Sequence, residues 1–276
     1  MDTDLRKYLQ QNHKKLTWKE RIQIVLNIID AFSRIHNENA IHRDLHSGNI
    51  LFKTKFFISD LGFCGPADKP LNIIYGNLPY IAPEVEQTYK SDIYSIAMLM
   101  WEISSRQPPF INYEHNYDLA MNIVNGIRPK IVPGTPLEYK NLMKQCWDAD
   151  PSKRPDSYSL RDKLIEINLF YQNKSDELLT QSEENNSFEI EYHTSSNILS
   201  TSRLHHFENL PEPRNATEDN YKIESMQKQI KKLHINDNDE YEAHNNPNLH
   251  SEEQDELELP ERRYEMNVTG NGDGKR

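Results

Sequence analysis

Residues 93–103 read Ile-Tyr-Ser-Ile-Ala-Met-Leu-Met-Trp-Glu-Ile, apolar on almost every face of a helix. A surface helix keeps a polar stripe, so a helix that lacks one has to be enclosed. The run is too short to cross a bilayer, which takes about 20 apolar residues, and the enclosure must therefore come from other helices. The chain supplies them. Thr17-Trp18-Lys19-Glu20 has capping-box spacing, and Ile22, Val25, Ile29 and Phe32 then mark one face of a long helix ending near His36. Residues 117–125, 136–147 and 156–170 give three more helices, broken by Gly126, Pro133, Pro136, Pro151 and Pro155. Ahead of these, Asp2 or Thr3 is expected to cap a first helix with Leu5, Tyr8 and Leu9 on its inner face. The fold class is mainly α (α+β).

The pattern stops near residue 170. Residues 171–276 hold 23 acidic and 11 basic side chains, whereas residues 1–170 hold 20 and 21. The later stretch is rich in Asn, Ser, Glu and Asp and carries Pro211, Pro213, Pro247 and Pro260, so it buries too little surface to offset chain ordering. It is expected to be a disordered, acidic tail. Within it, Ile223, Met226, Ile230 and Leu233 recur at helical steps, which makes 221–235 either a transient helix or a partner-binding one. So acidic a tail excludes a nucleic-acid patch. With no apolar run of about 18 residues and no signal-peptide core, the expectation is an intracellular, cytoplasmic chain without a membrane span. Its two cysteines, Cys64 and Cys146, outline neither a disulfide framework nor a zinc site.

The chemistry lies between the helices. In His42-Arg43-Asp44-Leu45-His46-Ser47-Gly48-Asn49, a carboxylate stands five residues before a neutral oxygen donor. Asp44 suits a general base and Asn49 a Mg²⁺ ligand. The apolar triplets 50–52 and 56–58, separated by Lys53-Thr54-Lys55, read as a β-hairpin that returns Asp60 beside Asn49. Gly62 then permits a sharp turn. A lone aspartate is most often a solvated turn residue, and only the combination argues otherwise.

These segments resemble the C-terminal lobe of a eukaryotic protein kinase, whose motifs run His-Arg-Asp-Leu-x-x-x-Asn, Asp-Phe-Gly and Ala-Pro-Glu. Here they stand in order as residues 42–49, Asp60-Leu61-Gly62 and Ala82-Pro83-Glu84. Ser91-Asp92-Ile93-Tyr94-Ser95 and Cys146-Trp147-Asp148 through Asp150-Pro151 and Arg154-Pro155 extend the match over residues 1–170 and resemble the tyrosine-kinase-like group of serine/threonine kinases. The resemblance implies ATP and Mg²⁺ as cofactors and a protein substrate or partner kinase. It makes Asp44 the base, Asn49 and Asp60 the Mg²⁺ ligands and Leu51 part of the adenine floor. His42, Leu61 and Asp92 become an internal spine, Arg43 the partner of an activating phosphate, and Glu84–Arg154 a buried ion pair.

Departures accompany the match. His46 replaces the usual lysine near the transferring phosphate, and Leu61 replaces phenylalanine. No Ser or Thr lies between Gly62 and Ala82, which leaves Tyr75 as the phosphate acceptor there, Tyr80 being a packed residue. Asn77 stands where a threonine would touch Asp44. No Gly-x-Gly-x-x-Gly is present, and the first helix reads as the one following the hinge, so the domain is expected to be residues 1–170 as a C-lobe with the N-lobe absent. Nucleotide affinity and turnover are then expected far below those of a complete kinase. Two alternatives stay open: a pseudokinase-like, non-catalytic binding or scaffold module, and a truncated gene product.

Overall fold

The computed structural model describes residues 3–12, 16–66, 74–84, 87–173, 201–205, 210–215 and 217. Both halves of the capping box open helix α2 (Trp18–Asn37): Thr17 Oγ1 accepts from Glu20 N, and the Glu20 carboxylate accepts from Thr17 N at 2.7 Å. The expected apolar face is buried, with Ile22, Ile29 and Phe32 fully inside. Helix α3 (Tyr89–Ser105) is buried along its length from Asp92 to Ser105, as its sequence requires. Helices α4 (Tyr117–Val124), α5 (Leu137–Cys146) and α6 (Ser157–Gln172) fall within about two residues of the expected spans 117–125, 136–147 and 156–170. Asn116 caps α4 and Asp156 caps α6 through side-chain oxygens. α2 packs most extensively against α6, and α3 against α5 and α2.

The first helix begins later than expected. Thr3–Asp4 form a short strand, β1, and α1 runs from Leu5 to Asn12, so the capping residue is Asp4, whose Oδ1 accepts from Lys7 N at 2.8 Å. Leu5 and Leu9 face inward as expected, while Tyr8 packs edge-on against Phe56. Strand pairing moved the boundary, because β1 aligns antiparallel to the hairpin strand β3 (Ile50–Phe52), with Thr3 opposite Phe52 and Asp4 opposite Leu51. The hairpin itself matches its sequence signal, β3 pairing with β4 (Phe56–Ile58) in the register Ile50 to Ile58. Alternation along β3 sends Ile50 and Phe52 to one face and Leu51 to the other.

Two small sheets complete the described part. β2 (Ala40–Ile41) pairs with β5 (Gly65–Pro66), and β6 (Ile74–Gly76) pairs with β7 (Arg203–His205). The second pairing corrects an expectation. Part of the stretch read as a tail without fixed structure lies against the lobe, because backbone pairing and a few specific side chains replace the apolar burial it lacks. The helical pattern at 221–235 falls outside the described residues. Among the described residues no helix is long and apolar enough to cross a membrane. Cys146 is fully enclosed and its thiol is pushed up to about 12 by burial, whereas Cys64 is half-buried.

Candidate active site

Asp92, near the start of α3, organises the loop that precedes Asp44. Its buried carboxylate accepts from His42 N at 2.7 Å, from Arg43 N at 3.0 Å and from His36 Nε2 at 3.2 Å. These bonds hold Arg43 in the left-handed region (φ 70°), which an L-residue adopts only under constraint. The loop turns there and presents Asp44. His42 is buried, with Asp44 N donating to its Nδ1 and its Nε2 facing Ser59 O at 3.2 Å, a structural histidine whose tautomer is set by these partners.

Asp44 is 3% exposed. Asn49 Nδ2 donates to the Asp44 backbone oxygen at 2.9 Å, which leaves Asn49 Oδ1 as the free donor atom for a cation. Burial alone raises the Asp44 carboxyl. The adjacent His46 and the hydroxyl of Ser202 outweigh that effect and hold it below the ordinary carboxylate range. Ser202 donates to Asp44 Oδ1 at 2.6 Å and lies 3.1 Å from His46 Nε2. Because His46 Nδ1 accepts from Gly48 N at 3.0 Å, the neutral imidazole carries its proton on Nε2 and points it at Ser202. Nothing in the sequence marks Ser202, one serine among many in a polar stretch.

Below the loop lies a second buried polar cluster. Tyr80 Oη donates to Glu102 Oε2 at 2.5 Å, and Arg6 Nε stands 3.3 Å from Ser47 Oγ and 3.7 Å from Glu102 Oε1. Burial pushes both the Tyr80 phenol and the Glu102 carboxyl up. Tyr80 is thus packed, as expected. Glu102 is the one carboxylate of the enclosed 93–103 run, and Tyr80 and Arg6 supply its partners there. Tyr80→Phe is expected to cost about 1–3 kcal/mol, because the Glu102 oxygen loses its donor inside the protein; urea unfolding of the two proteins measures it.

Asp60 sits at the open end of the hairpin. Ser59 N donates to Asn49 O at 2.8 Å, which brings Asp60 one residue past Asn49's level, as the hairpin predicts. Asp60 is exposed and left-handed (φ 57°), and the tight turn Leu61–Phe63 follows. That turn overturns one expectation: Leu61 is 54% exposed rather than packed with His42 and Asp92, since the reversal at Asp60 directs it outward. Arg43 donates to the backbone oxygens of Phe63 at 3.1 Å and Pro66 at 3.0 Å. A Cβ on Gly65 would come within 2.6 Å of Arg43 Nη1, so a larger residue there would displace the guanidinium. Tyr75 stacks on Phe63 with ring centroids 3.6 Å apart. Asn77 is buried beside Gly76, at which a Cβ would stand 3.5 Å from Asp44 Oδ1.

Among the described residues no group of three or more His, Cys, Asp or Glu surrounds a cation position. Two oxygen donors, Asn49 and Asp60, nevertheless fit Mg²⁺, which is commonly held by one or two side chains with substrate phosphates completing the shell. Leu51 lies half-buried on the face of the small sheet opposite the core-packed Phe52. Glu84 and Arg154 form a bidentate pair with bonds of 2.6 and 2.7 Å, and Arg154 also donates to the backbone oxygens of Asp148 and Lys90.

A family model for protein tyrosine and serine/threonine kinases matches residues 1–164. The chain is 31% identical over 196 residues to the dual specificity protein kinase zakA of Dictyostelium discoideum, covering 62% of this chain and 25% of that protein. It is 34% identical over 154 residues to a dual serine/threonine and tyrosine protein kinase of Apis mellifera, covering 51% and 16%. A putative serine/threonine-protein kinase/receptor of Acanthamoeba polyphaga mimivirus is 32% identical over 176 residues, covering 60% and 10%. The chain therefore spans a quarter or less of the length of these relatives. With the Asp44 loop, the Asp60 turn and the Glu84–Arg154 pair all within the matched region, the chain belongs to the protein tyrosine and serine/threonine kinase family.

Proposed function

We propose that this site transfers the γ-phosphoryl group of ATP to a protein hydroxyl, with Asp44 as the general base. The observation that carries this reading is an alcohol already seated on the Asp44 carboxylate, Ser202 Oγ at 2.6 Å, within reach for proton transfer. Asp44, held below the ordinary carboxylate range, is ionised near neutral pH and able to accept that proton. Asn49 and Asp60 would hold Mg²⁺, and Leu51 would lie under the base. When bound, MgATP supplies the phosphoryl group and neutralises charge at its oxygens. His46, whose Nε2 lies 3.1 Å from Ser202 Oγ, orients the acceptor hydroxyl.

A second reading, a non-catalytic binding module, draws on the same contact, since a chain that fills its own site can hold a segment without turning it over. Incubating the full chain with labelled ATP, Mg²⁺ and a protein acceptor distinguishes the two. Incorporation is expected to fall about 10²–10⁴-fold in Asp44→Asn, the usual contribution of a positioned base. No incorporation in either protein refutes turnover and leaves the binding module, whereas equal incorporation in both refutes Asp44 as the base.

A further inference from the structure

Residues 201–205 lie beside Asp44, and their placement says what the site accepts. β7 pairs antiparallel with β6 in the register Gly76 to Arg203, Tyr75 to Leu204 and Ile74 to His205. Ser202 is the next residue along, and the pairing delivers its Oγ to Asp44 and His46. The β6 backbone ends directly over the loop, since a Cβ on Gly76 would stand 3.4 Å from Arg43 O. Side chains add to the backbone pairing. His205 lies buried with Nε2 3.0 Å from Gly76 O, and Arg203 donates to the backbone oxygen of His115.

Residues 210–215 make a second anchorage. Arg214 N donates to Val124 O at 2.8 Å, Asn215 Oδ1 accepts from Ala149 N at 2.7 Å, and Asn215 Nδ2 donates to Asp148 Oδ1 at 3.0 Å. Gly126 (φ 100°) makes room, since a Cβ there would approach Asn215 O to 2.6 Å. Leu210 joins Ile74, Leu78, Ile123 and Val124 around one apolar hollow.

We propose that β6, Asp44 and His46 form a strand-binding groove selective for an extended segment carrying a seryl or threonyl hydroxyl, and that residues 201–205 of this chain are its resident occupant. The selectivity follows from reach. With the backbone pinned to β6, a hydroxyl on Cβ meets the carboxylate, whereas a phenol would place its oxygen a ring's length beyond it. An incoming substrate strand must displace β7, so the chain limits access to its own site. Calling the groove an acceptor site rests on Asp44 being the base; the strand docking does not.

The test needs no nucleotide. In the full chain, Arg203→Pro with Leu204→Pro removes two backbone donors from β7 and is expected to speed hydrogen exchange at residues 74–76 at least tenfold, with α3 amides unchanged. Ser202→Ala, which leaves the β7 backbone intact, is expected to speed it by a smaller factor. A fluorescent peptide of residues 199–207 should bind the double-proline chain at least tenfold more tightly than the wild type. Its Ser202→Ala version should bind about tenfold more weakly, the effect of one hydrogen bond to a carboxylate. The Ser202→Thr version should bind like serine and the Ser202→Tyr version like alanine. Unchanged exchange at 74–76 in both variants overturns the resident strand, and equal binding of serine, alanine and tyrosine peptides overturns the selectivity. A chain that passes both yet transfers no phosphate refutes the proposed activity alone.

Discussion

Glu84→Ala is expected to lower the unfolding free energy by about 3 kcal/mol, read as a drop in the urea midpoint with an unchanged slope. Arg154 is 1% exposed, and its guanidinium meets Glu84 through two parallel bonds of 2.6 and 2.7 Å. Removing the carboxylate leaves a cation inside the protein with the carbonyls of Asp148 and Lys90 as remaining partners. Breaking a buried pair in this way typically costs about 3–5 kcal/mol, and the two retained carbonyl bonds place the expectation at the lower end. Glu84→Gln should cost less, since the amide oxygen still accepts from Arg154. The paired variant Glu84→Ala with Arg154→Met should recover part of the loss, because no orphaned charge remains. A double variant less stable than Glu84→Ala would show that Arg154 acts through its carbonyl bonds and not through the pair.

Asp92→Ala is the second large effect, expected at about 2–6 kcal/mol from two stranded backbone donors at about 1–3 kcal/mol each. The carboxylate accepts from His42 N and Arg43 N, and it also meets His36 Nε2 on α2. Its loss has a local consequence beyond stability. Arg43 stays at φ 70° because those two bonds over-determine it, and a relaxed Arg43 would withdraw Asp44 from Ser202. Asp92→Asn keeps one accepting oxygen and should fall between the alanine variant and the wild type. Urea unfolding gives the first quantity. Faster hydrogen exchange at residues 42–44 under native conditions gives the second, and a variant with wild-type exchange there would refute this account of the loop.

Patterns carried by one element were legible in the sequence. The Thr17–Glu20 box, the hairpin around Lys53-Thr54-Lys55 and the enclosed helix at 93–103 each contain their own specification, and each appears where its residues place it. What escaped depends on partners distant in sequence. Thr3–Asp4 became a strand because β3 offered an open edge, which shifted the cap from Asp2 or Thr3 to Asp4. Leu61 turned outward because Asp60 took a left-handed conformation that no residue preference dictates. Arg43 found the carbonyls of Phe63 and Pro66, contacts set by the β2–β5 pairing. Ser202 is the extreme case. It reaches Asp44 across 158 positions of sequence by strand pairing, in a segment whose composition argues against order.

The pairing of β6 with β7 also protects the molecule from its own copies. β6 is a short strand whose one ladder neighbour among the described residues is β7, so releasing β7 bares a row of backbone donors and acceptors. An unpaired edge is a template for any chain that carries a matching strand, and every copy of this protein carries one. Strand exchange between two molecules would restore each ladder at no loss of contacts, the ordinary route to a domain-swapped dimer. Concentrated protein recovered from mild denaturant would then divide between monomers closed on themselves and dimers closed on each other, and dilution below the exchange equilibrium would return the dimers to monomers.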